Sequence, residues 1–373
     1  MIYLDHQATT PTDPAVLAAM TEASERHFAN PASPHRPGVE AFQLVEKARV
    51  SVARSLGARK SEIYFTSGAT EANNLAIKGI ATRGSGHVIT TAVEHKSVLD
   101  CCALLPGVDV TVLPVDREGR VSAQAVADNL RDDTVLVSVM LANNETGTIQ
   151  PVREIARITR QAGVPLHSDA TQGAGYLDLA DLGVDLLSLS GHKIYGPKGV
   201  GALYVSNDLT DMGAVSPILH GGGQERGLRA GTLNTAGIVG LGAAVELAVA
   251  GRADETRRLA ELRDLFLDEL SVEFDLNSGT GPGFLPHALN ISLRGVDAQQ
   301  LLPALADVAV STGSACNSTS QRPSHVLTAM GLPPARIKSS IRLSFGRFTT
   351  EREAVQAARS LTAAARSADL EAA

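Results

Sequence analysis

The run Leu186-Leu187-Ser188-Leu189-Ser190-Gly191-His192-Lys193-Ile194-Tyr195-Gly196-Pro197-Lys198-Gly199-Val200 joins two apolar segments, Leu186–Leu189 and Val200–Val205, through a glycine-rich turn that carries a lysine. Short apolar runs bounded by glycine and proline read as buried strands. The same grammar reaches back to about residue 60, with strand candidates Glu62–Thr66, His87–Thr91, Val108–Leu113, Thr134–Met140 and Pro165–Ser168. Between them Ala69–Thr82, Ser122–Leu130 and Val152–Gln161 carry helical spacing. Strands alternating with helices predict a parallel α/β sheet. Such sheets bind ligands beyond the carboxyl ends of their strands, which selects Ser67–Thr70, His95, Asn143–Glu145, Asp169–Gln172 and Ser190–Lys193.

Outside this block, helices are predicted near Pro14–His27, with Asp13 as cap and Pro14 in the first helical position, and near Val39–Leu56, ending at Gly57. Beyond the sheet come a glycine-rich loop, Gly221–Thr232, and an Ala/Leu-rich connector helix from about Thr235 to Leu270. The loop has too little apolar side chain to fold on itself, and it offers Arg226, Arg229 and Thr232 as donors for a phosphate. From about residue 271 onward, strand runs His287–Leu293 and Ile341–Phe345 mix with helices, as in a small α+β domain.

The 373 residues exceed one ordinary domain, and a formal charge of −7 repels phosphate backbones, which argues against nucleic acid as the main ligand. Uncharged stretches such as Ala230 to Val245 and Leu276 to Leu293 are interrupted by polar residues, glycine or proline, so no membrane span is expected. The start, MIYLDHQATT, has an acid at Asp5 and neither a basic nor an apolar lead, so a cytoplasmic location is expected. Three cysteines make no disulfide framework, and the ten histidines show no metal-ligand spacing, so no metal is expected.

Several residues are placed for chemistry. Lys193, just after a strand, reads either as a Schiff-base amine or as a solvated loop lysine, with Lys198 its natural control. Asp169 heads Asp169-Ala170-Thr171-Gln172 and is either a helix cap or the carboxylate that a pyridoxal phosphate ring needs at its nitrogen. Ser67-Gly68-Ala69-Thr70 opens a helix, where free N–H groups and hydroxyls either receive an anion or simply cap. His95 either lies on a planar ring or is structural. Arg342, inside apolar Ile341-Arg342-Leu343-Ser344-Phe345, suits a substrate carboxylate or an internal acid. Cys316 sits in the small, polar run Ser311-Thr312-Gly313-Ser314-Ala315-Cys316-Asn317-Ser318-Thr319-Ser320, where a thiol is accessible and able to ionise. Cys101 and Cys102 occupy helix packing positions.

In order and spacing these signals resemble the pyridoxal-phosphate-dependent cysteine desulfurases of the NifS/IscS type, in the class V aminotransferase group. The segments that carry the resemblance are Tyr3-Leu4-Asp5, Ala8-Thr9-Thr10, Asn30-Pro31-Ala32-Ser33, Thr66-Ser67-Gly68-Ala69-Thr70-Glu71, Glu94-His95, Asn143-Asn144-Glu145, Asp169-Ala170-Thr171-Gln172, Ser190-Gly191-His192-Lys193, His220-Gly221-Gly222-Gly223-Gln224-Glu225-Arg226-Gly227, Arg229-Ala230-Gly231-Thr232 and Gly313-Ser314-Ala315-Cys316. The resemblance implies the fold type I architecture of pyridoxal-phosphate transferases, α/β with a mainly parallel sheet in the large domain and a small α+β domain. Residues 15–255 would form the large cofactor domain, 1–14 would join the small domain, and 256–373 would form that domain and carry the cysteine.

By position, Lys193 would hold pyridoxal 5'-phosphate as a Schiff base, Asp169 its pyridine nitrogen and Gln172 its phenolic oxygen. His95 would stack on the ring and move protons, and Asn144 would also contact the cofactor. Ala69, Thr70, Ser190 and His192 would bind it at the phosphate, with Thr232 reaching in from the other subunit of a homodimer. Asn30 and Arg342 would hold the carboxylate of L-cysteine. Cys316 would take the substrate sulfur as a persulfide, release L-alanine and hand the sulfur to an acceptor protein, as in iron–sulfur cluster assembly. The alternatives are a selenocysteine lyase, a class V aminotransferase, or a non-catalytic module that binds a sulfur partner. Lys193 and Asp169 together argue against the last, and Cys316 against a plain aminotransferase.

Overall fold

In the computed structural model Asp13 caps the first helix, its carboxylate accepting the Ala15 N–H at 2.9 Å, and Pro14 occupies the first turn. The structure describes residues 1–81, 85–312 and 323–372, and Cys316 lies outside them. The amino-terminal half runs β1 (Ile2–Tyr3), α1 (Pro14–Arg26), α2 (Arg36–Ser55), β2 (Ile63–Thr66), α3 (Ala69–Ala81), β3 (Gly86–Thr91), α4 (Lys96–Ala103), β4 (Val108–Leu113), α5 (Ala123–Asn129), β5 (Thr134–Ser138), α6 (Val152–Ala162) and β6 (Leu166–Asp169). There follow β7 (Leu186–Ser190), β8 (Gly201–Val205), α7 (Asn207–Asp211), α8 (Thr235–Glu269), β9 (Phe274–Leu276), β10 (Ala288–Leu293), α9 (Ala298–Ala304), β11 (Val308–Ala309), α10 (His325–Ala329), α11 (Pro334–Lys338), β12 (Ser340–Ser344) and α12 (Glu351–Ala372).

Seven strands form the main sheet in the order β2-β8-β7-β6-β5-β3-β4. The runs β2, β3, β6 and β7 are buried throughout, as expected of strands covered on both faces. The sequence predicted β8 as one more parallel strand, but it pairs antiparallel with both β7 and β2. Only residues 191–200 separate β7 from β8, too few for a parallel crossover, which takes a dozen or more. That reversal folds the Lys193 turn back over the carboxyl edge of the sheet. Gly201 makes the approach possible, because a Cβ there would meet the Leu189 carbonyl oxygen at 2.4 Å and the Gly68 Cα at 2.7 Å.

One apolar cluster joins a face of the sheet to α1, α2, α6 and the first half of α8, through residues such as Val52, Ile155 and Leu241. A second fills the opposite face beneath α3 and α4, through Leu75, Ile77 and Val98. A third unites β10, β12, α12 and the second half of α8 around Leu262, Phe266 and Phe345. Thus α8 runs from one core into another. By length and composition alone it is apolar enough to cross a membrane, which the interrupted runs of the sequence did not suggest. Here it is packing material, with Ile238, Leu241, Leu259 and Phe266 among its buried residues.

The antiparallel sheet β12-β10-β9 lies with the carboxyl-terminal residues, and β1 pairs in parallel with β11. The chain from Leu4 to Thr10 then crosses to the main sheet: Ser344 N–H donates to the Leu4 carbonyl at 2.7 Å, and Thr10 N–H to the His192 carbonyl at 2.9 Å.

The glycine-rich loop is anchored by charge, which its sequence did not suggest. Glu225 takes both arms of the Arg49 guanidinium, at 2.7 and 2.8 Å, and the Phe65 N–H at 2.7 Å. Glu225 and Arg226 adopt φ of 48° and 55°, the left-handed region, to bring that carboxylate inward. Neither loop arginine is left for a phosphate: Arg226 stacks 4.1 Å from the Tyr64 ring centroid, and Arg229 pairs with Glu71 at 2.8 Å. Glu225→Ala removes the two-armed partner of buried Arg49 and leaves it Glu46, on Nε at 2.8 Å, so chemical denaturation is expected to show a loss of about 1.5–3 kcal/mol. Arg229→Ala, at a part-exposed pair, is expected to cost about 1 kcal/mol or less.

Candidate active site

The strand ends converge on a cavity of 390 Å³. Lys193, His95, Asp169, Gln172, Asn144, Ala69, Thr70, Ser190, His192 and Arg342 all line it. All but Arg342, which sits within β12 of the other sheet, lie near strand ends of the main sheet, and the fold gathers them. Asn30 and Thr232 are exposed and do not line it. The Asn30 side chain instead accepts the Ala32 N–H at 2.9 Å.

At one side stands the start of α3. The N–H groups of Ala69 and Thr70 belong to the first turn and have no intrahelical acceptor. Gly68 precedes them with φ of 147°, and the Ser190 hydroxyl lies 3.8 Å from where a Cβ on Gly68 would be. His192 faces the same region, with Nδ1 3.1 Å from the Thr9 hydroxyl. Burial, helped by Lys193 and Lys198, pushes its pKa down to about 4, so it is a neutral imidazole. A helix N-terminus, hydroxyls and a neutral imidazole are a donor set for an anion with no local acid to repel it except Glu71. That acid is occupied by Arg229 and by the Ser67 N–H at 2.8 Å.

Lys193 reaches from the β7 end to the carbonyl oxygens of Gln7 and Ala8, the second at 2.8 Å. The Gln172 amide donates to the same Gln7 carbonyl at 3.0 Å. Asp169 ends β6, one carboxylate oxygen accepting the Thr171 N–H at 3.0 Å and the other the Asn73 amide at 2.8 Å. His95 caps α4, and burial lowers its pKa. Arg342, 1% exposed, has an internal acid as partner: it pairs with Asp5 at 2.7 Å and donates to the Asn144 carbonyl at 2.9 Å, and it lines the cavity. Its Nε has no partner among the described residues.

The sequence offered no sign of Asn73 or Ser97, whose value lies in side chains that meet across elements. Nor did it give a role to Glu94, buried and held by the Thr91 hydroxyl at 2.7 Å and the Met140 N–H at 2.9 Å. Among the described residues no group of three metal-ligating side chains occurs. Cys101 and Cys102 are buried, with thiols pushed up to about 11 and 12, as packing residues should be.

The model of the aminotransferase class-V family matches residues 2–357. The chain belongs to the class-V aminotransferase family. A cysteine desulfurase IscS of Rickettsia akari is 47% identical over 363 residues, 94% of this chain and 88% of the relative. One of Dictyoglomus turgidum is 45% identical over 364 residues, 94% of this chain and 91% of the relative. Among solved structures, a NifS-like protein superimposes with a TM-score of 0.91 at 36% identity, covering 97% of this chain and 98% of the other. SspA in complex with cysteine gives 0.84 at 39% identity, covering 94% and 100%.

Class-V aminotransferases of this kind are pyridoxal-phosphate-dependent enzymes. The donor set fits that cofactor: an anion cradle at α3, an amine at Lys193 and an acceptor carboxylate at Asp169, around one cavity.

Burial raises the Glu94 carboxyl from 4.5 to about 8, and Asp169 adds to the rise. The fold therefore prefers the protonated acid. This contribution to stability is complete below the unfolded value and is lost as pH rises through about 8. Glu94→Gln, which keeps the shape without the charge, is expected to flatten the fall of Tm between pH 5 and 8. Equal slopes in the two proteins would contradict it.

Proposed function

We propose that the chain is a cysteine desulfurase that takes sulfur from L-cysteine, releases L-alanine and passes the sulfur through Cys316 to an acceptor protein. What carries the reading is the convergence of Lys193, Asp169, His95 and Arg342 on one cavity in a chain whose relatives are named cysteine desulfurases. Bound there, pyridoxal phosphate supplies an electrophilic carbon for the substrate amine and a ring that stores an electron pair.

The residues divide the work. The α3 N-terminus, Thr70, Ser190 and His192 hold the phosphate; Asp169 holds a proton on the ring nitrogen; Gln172 and Asn144 reach the ring's oxygen side. Lys193 would hold the cofactor through its amine, and that amine, once released, would carry protons to and from substrate carbon. Arg342, braced by Asp5, presents its guanidinium to the substrate carboxylate. The Cys316 thiolate attacks the substrate sulfur, forming an S–S bond as the C–S bond breaks. The electron pair of that bond stays on the substrate side, and protonation yields alanine. Support for placing Cys316 here comes from its described flanks. Ser311 pairs with Arg342, and beyond the segment His325 bonds the Glu94 carbonyl at 2.9 Å while Ser324 bonds Glu145.

The proposal includes a homodimer, with Thr232 reaching the partner's site and Asn30 holding the substrate carboxylate. In its favour, both are exposed in the single chain, and Leu17, Phe28, Val39 and Phe42 leave apolar surface on and beside α1 and α2.

Incubated with pyridoxal phosphate, L-cysteine and a reductant, the purified chain is expected to yield alanine and sulfide in equal amounts. Neither product, or selenide from L-selenocysteine alone, would defeat the reading. Lys193→Ala is expected to lose the visible absorbance of the lysine-bound cofactor. Cys316→Ser should keep that absorbance and bind L-cysteine, yet release alanine slower by a factor on the order of 100 or more. For the dimer, Lys193→Ala mixed with a Thr232→Ala chain should regain activity, since one of the two sites is then intact. A fully active monomer in sedimentation would exclude that arrangement.

A further inference from the structure

Asn73 lies fully buried on α3 amid apolar neighbours Ala72, Leu75 and Ala76, where an amide has no packing advantage. Its Nδ2 donates to Asp169 Oδ2 at 2.8 Å and to Ser97 Oγ at 2.9 Å. A carboxylate only accepts, so the nitrogen end of the amide must face Asp169, and both of its protons are engaged. The carbonyl end, Oδ1, has no partner among the described residues. An unpaired buried acceptor destabilises the fold, and an apolar residue would avoid it. The position therefore favours two donors over stability.

The direction of the remaining bonds follows. Ser97 Oγ receives an amide N–H, so its own proton is left for His95 Nδ1, 2.8 Å away. The Ser97 backbone N–H, which can only donate, points at the same nitrogen at 3.1 Å. Two donors on Nδ1 leave it no room for a proton, and a neutral His95 must then carry its proton on Nε2.

We infer that Asn73 is a positioning residue that ties Asp169 to His95: one amide orients the carboxylate and, by holding the Ser97 hydroxyl as a donor, adds a second donor at His95 Nδ1 to the Ser97 backbone N–H that keeps the proton on Nε2. This rests on the reading that Asp169 and His95 serve one cofactor in the cavity. Asn73 itself acts only through those two side chains. Its consequence is that the acceptor at the ring nitrogen and the proton-bearing imidazole are aligned together.

The test uses full-length enzyme loaded with pyridoxal phosphate and labelled with ¹⁵N-histidine, with a His95→Gln sample for assignment. In the native protein the His95 ¹⁵N signals are expected to be those of the Nε2–H tautomer at neutral pH. Asn73→Ala should shift both these signals and the visible absorbance of the bound cofactor, and lower kcat about tenfold or more with KM for L-cysteine changed less. Ser97→Ala should move the Nδ1 signal, one of whose donors is gone, and leave the cofactor band in place. Ser97→Thr, which keeps the hydroxyl, should restore the native signals. A merely structural Asn73 predicts a lower Tm with both signatures unchanged, and that result overturns the inference. If Asn73→Ala does not fold, an unmoved Nδ1 signal in Ser97→Ala overturns it instead. The tautomer is read without turnover, so a protein inactive on L-cysteine that still shows Nε2–H would sink the desulfurase reading and leave this one standing.

Discussion

The short segment from Asp5 to Thr10 is the seam on which the site depends. At one end Asp5 holds Arg342 of β12, and at the other Thr10 holds the Lys193 turn through the His192 carbonyl. Between them the carbonyls of Gln7 and Ala8 take the Lys193 amine, and Gln7 takes the Gln172 amide as well. A segment held this close to both sheets sets the distance between the guanidinium that meets substrate and the amine that meets cofactor. Because Arg342 is buried, its charge needs Asp5, and truncating the acid would leave the cation stranded rather than merely loose.

The site sits at the carboxyl edge of the sheet for a reason that is geometric before it is chemical. Parallel strands deliver their following residues to one edge, and the crossover helices start there with unpaired N–H groups. Negative groups gain from the α3 start, while Asp169 is kept oriented by two fixed donors. Burial lowers the pKa of His192 and His95, which line the cavity, and raises that of Glu94, which lies buried and does not line it. In such surroundings each remaining charge acts over a longer range than it would in water.

What was legible from the residue order was local: the apolar runs, the residues just past them, and Asp13-Pro14 as a helix start. Lys193, Asp169, His95 and Ser67–Thr70 could be chosen that way because a strand end is defined by its own few residues. A polar stretch around Cys316 was equally visible, though it lies outside the described residues. Tertiary structure alone decided the rest. The close approach of β8 to the start of α3 needs Gly201 against Gly68, and the anchoring of the glycine-rich loop comes from Arg49 meeting Glu225 across 176 positions. Arg342 finds Asp5 across 337 positions, and Asn73 finds Asp169 across 96. Pairings at such separations leave no periodicity in either partner's neighbourhood, because the energy that selects them exists only once the sheet has brought the two ends within hydrogen-bond reach.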